Sequence, residues 1–213
     1  MKQPSFSGDL IWGIREIKES SNELLALLDR KDLYTSRISE MVSENRKREW
    51  LAVRVLLKDL IGEEKDVSYT SAGKPYLKDN SFCISMSHTK GYVAVVLSKH
   101  NSVGIDIEYI SPRIRKIASR FMSESETAGI SKEYEDIHLL LHWSAKESLF
   151  KALSEANVDF KECLHIDRFM PQMNILSSFS GYETKTKNKY TFDINYLVRE
   201  EYVLTFTDLE PNK

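Results

Sequence analysis

Two short runs hold the side chains with the most chemical potential. Gly104-Ile105-Asp106-Ile107-Glu108 alternates between apolar residues and two acids. In an extended strand, residues two apart share a face. Val103, Ile105 and Ile107 then point one way, and Gly104, Asp106 and Glu108 the other. Two carboxylates on one face repel each other unless a cation, a proton or solvent intervenes. A hard cation answers that repulsion, and Mg²⁺ typically takes one or two carboxylates plus substrate phosphates. Gly104, on the same face, is expected to let a ligand approach closely. Alone, the pentapeptide reads better as an exposed strand with two solvated acids.

The second run is Trp143-Ser144-Ala145-Lys146-Glu147, continued by Phe150 and Lys151. Trp143, Glu147 and Lys151 stand at i, i+4 and i+8, on one face of a helix, with Lys146 and Phe150 beside them. Alone, Glu147 and Lys151 amount to a surface ion pair worth ~0.3–0.5 kcal/mol.

Residues from about Asp136 to Ala156 are expected to form the helix that carries the second run, and Val103 to Tyr109 the strand that carries the first. The region between them holds a basic helical stretch from Arg113 to Phe121 and a helix start at Ser123-Glu124-Ser125-Glu126. Strands follow at roughly Leu164–Pro171, Ile175–Phe179, Tyr190–Leu197 and Tyr202–Thr207. The first half has the same plan. A loop with Pro4, Ser5 and Gly8 leads to a strand at Leu10–Ile14, and Ser20 starts a helix. A long helix from about Ser39 to Ile61 ends on Gly62 as C-cap. Strands at Val67–Thr70, Tyr76–Leu77, Phe82–Met86 and Tyr92–Leu97 follow, with a turn at Ser71–Pro75. The expected fold is α+β: two similar subdomains, residues 1–102 and 103–213, each packing helices on an antiparallel sheet.

The bulk properties exclude several classes. A formal net charge of -2 argues against a nucleic-acid binder that relies on phosphate neutralisation. No apolar run is long enough to span a membrane and no secretory leader is evident, so a cytoplasmic protein is expected. Cys83 and Cys163 lack metal spacing and are expected to be buried thiols in apolar stretches. His138 and His142 have the spacing of a zinc-protease helix, but Leu139 stands where the catalytic glutamate would be and no third ligand is evident.

Taken together, the two runs resemble the signature pair of the 4′-phosphopantetheinyl transferase superfamily: a G-[IV]-D-[IVL]-E strand, then W-[ST]-x-K-E-x-x-x-K on a helix some way downstream. Every signature position matches. The chain length resembles that of the long members, two fused copies forming a pseudo-dimer within one monomeric chain. Three further segments resemble first-half features of such members: Arg46-Lys47-Arg48-Glu49-Trp50-Leu51-Ala52-Val53-Arg54, Gly73-Lys74-Pro75 and Ser85-Met86-Ser87-His88-Thr89.

The resemblance implies an enzyme that moves the phosphopantetheine group of coenzyme A onto a serine of an acyl or peptidyl carrier protein. It implies Mg²⁺ on Asp106, Glu108 and Glu147, with Asp106, Glu147 and Lys151 as the catalytic set and Lys151, with Lys146 beside it, adding positive charge at the phosphates. Arg46, Arg54, Lys74, Ser87 and His88, again with Lys151, are the implied coenzyme A contacts. The serine proton goes to Glu147, to Glu108 or to a metal-bound water; Glu147 is favoured by its helix position, although tight metal binding would weaken it as a base. Arg113, Arg115, Lys116 and Arg120 form a basic stretch suited to docking an acidic carrier.

Overall fold

Serine hydroxyls start helices in both halves of the chain. Ser20 and Ser123 each close a capping box with a glutamate three residues on, and Ser43 accepts the Arg46 amide. A computed structural model describes residues 5–7 and 10–209. It divides the chain into two compact units, Met1–Lys99 and His100–Lys213.

The first unit runs β1 (Ser5–Ser7), β2 (Leu10–Glu16), α1 (Ser21–Ala26), α2 (Lys31–Ser39), α3 (Glu44–Ile61), β3 (Val67–Tyr69), β4 (Pro75–Leu77), β5 (Cys83–Thr89) and β6 (Tyr92–Ser98). The antiparallel sheet order is β1-β2-β6-β5, with β3 and β4 as a separate ribbon. Leu51, Leu56 and Leu57 of α3 share a buried core with Leu24, Val93, Val95 and Leu97. Gly62 ends α3 at φ 90, a conformation glycine adopts without steric cost.

The second unit runs β7 (Ser102–Tyr109), two 3₁₀ turns (Pro112–Lys116 and Ala118–Arg120), α4 (Glu124–Ala128), α5 (Glu135–Leu153), α6 (Phe160–Cys163), β8 (Leu164–Ile166), β9 (Leu176–Glu183), β10 (Thr191–Val198) and β11 (Tyr202–Leu209). Its antiparallel sheet order is β7-β11-β10-β9-β8. Leu141, Ala145, Leu149 and Ala152 place the apolar face of α5 in a core with Phe192, Ile194 and Val203. The mixture of helices and antiparallel sheets makes the fold α+β.

Several expectations need correction. The long first-half helix does not begin at Ser39: α2 ends there, and Ser43 restarts the chain as α3 after a break in which Val42 is fully exposed. Ser5–Ser7 pair with β2 instead of forming a loop, while Pro4 and Gly8 lie outside the described residues. The basic stretch after β7 forms 3₁₀ turns, started by Pro112, with only Ile114 buried in the first. The strand expected to reach Pro171 stops at Ile166, because Phe169 turns inward to stack on Phe179, centroids 3.9 Å apart. Helix α5 ends three residues early, where Ser154 adopts a left-handed conformation at φ 58. Neither cysteine is buried: Cys83 is exposed at the start of β5 and Cys163 is half-buried at the end of α6. Alternation explains Cys83, since its neighbour Ile84 takes the inward position.

Candidate active site

Helix α5 lies on β7 and β11, and Gly104 permits the approach. A Cβ at Gly104 would stand 1.8 Å from the Ser148 carbonyl oxygen. Gly104 itself is therefore covered by the helix backbone, which corrects the expectation that it lets a ligand approach closely. Gly104→Ala will force α5 off the strand and destabilise the protein by about 3 kcal/mol or more, the upper end of ordinary overpacking, as urea denaturation will read.

Hydroxyls join the two layers. The Ser144 hydroxyl contacts the Asp106 carbonyl at 3.3 Å and the Thr205 hydroxyl at 2.9 Å, one turn before Ser148 reaches the same hydroxyl at 2.8 Å. Thr205 is also the cross-strand partner of Asp106. One threonine thus fixes the height of α5 relative to the acidic strand. Thr205→Val leaves both serines without this partner and will cost about 1–3 kcal/mol; Thr205→Ser will restore most of it in the same denaturation assay.

This docking brings the two sequence runs together. Asp106 is buried, and its Oδ1 accepts from Lys151 Nζ at 2.8 Å; Lys151 also donates to the Ile105 carbonyl at 2.9 Å. The Trp143 indole donates to Glu108 Oε1 at 2.8 Å. Burial, then the charge of Asp106, pushes Glu108 up to about 7 against the Trp143 hydrogen bond. Glu147 is raised by burial and by Asp106, with Lys151 opposing. Three carboxylates therefore share one poorly solvated region with too little positive charge. Hard oxygen donors in that state fit a divalent cation in their chemistry. As they stand, however, no three His, Cys, Asp or Glu side chains among the described residues are grouped to hold a metal ion.

Lys146 does not belong to this cluster. It is fully buried and donates to the Phe121 carbonyl, Glu126 Oε2 and the Phe160 carbonyl at 2.6, 2.9 and 3.0 Å. All three of its protons are spent inside the protein, which corrects the expectation that it faces phosphates. Glu126 also accepts from the amides of Ser123 and Ile166 at 2.8 and 2.9 Å.

The first unit has its own groove of about 630 Å³, lined by Arg46, Glu49, Trp50, Arg54, Gly73, Ser87 and His88 among others. The α3 helix supplies the first four, the turn before β4 supplies Gly73, and the end of β5 supplies Ser87 and His88. Arg46 is exposed at the start of α3. Arg54 is instead buried over the Trp50 ring, 3.7 Å from its centroid, and donates to the Tyr69 hydroxyl at 3.3 Å. Desolvation lowers its pKa. Lys74 is half-buried, and burial lowers its pKa too. His88 Nε2 stands 3.5 Å from Glu49 Oε2. Sequence patterns missed Trp50 and Tyr69 as partners of Arg54. The i,i+4 spacing of Trp50 and Arg54 was the available signal.

On the far part of α5, His138 Nδ1 accepts the Ser131 amide at 3.1 Å, and His142 Nδ1 lies 2.9 Å from the His138 carbonyl. Burial depresses His138 to about 4 and lowers His142 as well, with Glu126 and Lys146 acting on His142 in opposite senses. A histidine held neutral contributes stability that is complete above the unfolded value near 6.5 and is lost as pH falls toward 4. Glu108 works oppositely, its contribution fading as pH rises from about 4.5 through about 7. The histidine part is read as a difference. Between pH 7 and 5 the melting temperature of His138→Gln will fall less than that of the wild type.

The basic residues after β7 are exposed, although Arg115 is engaged by Glu135 and Asp136 at the start of α5. Among the described residues, no helix is long and apolar enough to cross a membrane.

Residues 102–207 match the family model described as the 4′-phosphopantetheinyl transferase superfamily. The chain is 31% identical over 112 residues to the 4′-phosphopantetheinyl transferase AcpT of Escherichia coli K12, covering 50% of this chain and 57% of that protein. It is 32% identical over the same length to AcpT of Salmonella typhi, covering 50% of this chain and 58% of the relative. To the 4′-phosphopantetheinyl transferase gsp of Aneurinibacillus migulanus it is 29% identical over 141 residues, 65% of this chain and 56% of the relative. The chain thus spans little more than half the length of these relatives.

Proposed function

This chain belongs to the 4′-phosphopantetheinyl transferase superfamily, and we propose that it transfers the 4′-phosphopantetheine group of coenzyme A to a serine of an apo acyl or peptidyl carrier protein. The observation that carries this reading is the meeting of Asp106 and Glu108 on β7 with Trp143, Glu147 and Lys151 on α5. In the proposed reaction the serine oxygen bonds to the β-phosphorus of coenzyme A. The bridging oxygen leaves with adenosine 3′,5′-bisphosphate, and the serine proton passes to a carboxylate. Glu147 and Glu108 are the two bases within the cluster, both held toward protonation by burial and by Asp106.

Asp106, Glu108 and Glu147 are the side chains that would hold Mg²⁺, which supplies charge neutralisation at a pyrophosphate. Lys151 restrains Asp106 and adds positive charge beside the acids. In the first unit, Arg46, Ser87 and His88 line the groove and offer a cation and donors suited to the phosphates of coenzyme A, with Lys74 between the lining residues Gly73 and Pro75 and Arg54 stiffening the wall behind Trp50. Each unit has a long helix on an antiparallel sheet, which supports the two-copy, pseudo-dimeric type acting as a monomer. Exposed Arg113, Lys116 and Arg120 suit an acidic carrier, and the cytoplasm is the proposed setting.

The test is direct. The protein is incubated with coenzyme A, Mg²⁺ and apo acyl or peptidyl carriers, and carrier mass is measured. A gain of one phosphopantetheine group on at least one carrier is the expected result. No gain on any of several carriers overturns the assignment as a holo-[acyl-carrier-protein] synthase.

A further inference from the structure

The second unit contains a cavity of about 230 Å³ whose wall includes Glu126, His138, His142, Arg168, Phe169 and Tyr182. None of these six belongs to the acidic cluster described above. At about 30 Å³ per water it has room for seven or eight solvent molecules, or for one small organic fragment.

Its two histidines are fixed in complementary tautomers. His138 Nδ1 accepts a backbone amide, so a neutral ring carries its proton on Nε2. His142 Nδ1 faces a carbonyl oxygen and must donate, so its Nε2 presents a lone pair. Both residues are at least nine-tenths buried, at 1% and 3% exposed. Neither Nε2 has a hydrogen-bond partner among the described residues, nor is either sealed from the cavity as a buried unsatisfied atom. The rings lie 5.1 Å apart by centroid, and Phe169 is stacked against His142 at 5.3 Å. The wall therefore offers one donor and one acceptor next to each other, with Phe169, itself stacked on Phe179, lining the cavity beside them.

We propose that this cavity is a second binding site, for a small uncharged planar molecule with a carboxamide edge. The carbonyl oxygen of the amide accepts from His138 Nε2–H, its N–H donates to His142 Nε2, and a flat apolar body rests beside Phe169. A carboxylate is excluded by the same geometry. It has only acceptors, so one oxygen would oppose the His142 lone pair, and the Glu126 carboxylate stands in the wall. The exposed Arg168 at this wall is the feature that would favour an anion instead, so the two chemistries separate cleanly.

The probes are benzamide and benzoate, titrated into the ¹⁵N-labelled full chain while the histidine ring nitrogens are followed by long-range ¹H–¹⁵N NMR. The free protein should show His138 protonated on Nε2 and His142 on Nδ1; any other pattern overturns the proposal. Benzamide should shift both rings saturably and benzoate should not, and His142→Phe should weaken benzamide binding at least tenfold. No saturable shift would mean that the cavity holds solvent only. Equal binding of benzoate would mean an anion site governed by Arg168. Either result overturns the proposal, as does unchanged binding in a folded His142→Phe variant. If that variant fails to fold, the tautomer pattern and the benzamide–benzoate comparison still decide the question on the wild-type chain.

Discussion

Asp106→Asn will lower carrier-loading turnover by about 10³-fold or more, roughly 4 kcal/mol of transition-state stabilisation. Asparagine keeps the shape of aspartate and a carbonyl oxygen that can still accept from Lys151 Nζ, now 2.8 Å from the carboxylate. What disappears is the anion at the centre of the cluster, the group whose charge acts on both Glu108 and Glu147. A hard cation at the proposed site would lose a charged ligand, while the ammonium of Lys151 would stay to repel it. Turnover should be measured with saturating carrier across a Mg²⁺ titration, with the melting temperature recorded in parallel. The expected outcome is a folded protein with a collapsed rate and a raised Mg²⁺ requirement. A rate within threefold of wild type at the same Mg²⁺ would remove Asp106 from the site.

Lys146→Met will destabilise the fold by about 3–5 kcal/mol, the usual result of removing one member of a buried ion pair. Methionine fills nearly the same space, so little of this effect comes from packing. The loss comes from Glu126, pushed up by burial but held below its ordinary value by Lys146 and by the Ser123 and Ile166 amides. Without the lysine, Glu126 keeps its amide donors but loses its countercharge, and the carbonyls of Phe121 and Phe160 lose a donor. At about 2–4 °C per kcal/mol for a chain of this size, the melting temperature should fall by about 10 °C. Glu126→Gln in the same background should recover part of the loss, because the uncompensated charge goes with it. A single-variant cost below 1 kcal/mol by urea denaturation would refute the pairing.

Local chemistry explains which parts of the fold were legible. The capping boxes at Ser20 and Ser123 and the glycine end of α3 involve residues within a few positions, so their patterns survive in sequence. The alternation in β7 also placed Asp106 and Glu108 on one face, and the structure turns that face toward α5. Alternation could not reveal that Gly104 is covered. That fact depends on Ser148, 44 positions after Gly104, coming close enough to exclude a methyl group. Lys146 was misread for a related reason. It adjoins Glu147, but its side chain follows the next helical position toward α4, where Glu126 waits. Thr205 carried no signal at all, since its importance arises from pairing with Asp106 across the sheet and from hydroxyl contacts with Ser144 and Ser148, far from it in the chain.

The Glu126 carboxylate has a dynamic consequence as well. It caps α4, accepts the Ile166 amide of β8 and neutralises Lys146 of α5. A fluctuation that frees any one of these elements exposes the same charge, so they have little scope to open separately. In hydrogen-exchange terms the Ser123 and Ile166 amides, 43 positions apart in the chain, belong to one cooperative opening unit and should exchange at nearly the same free energy.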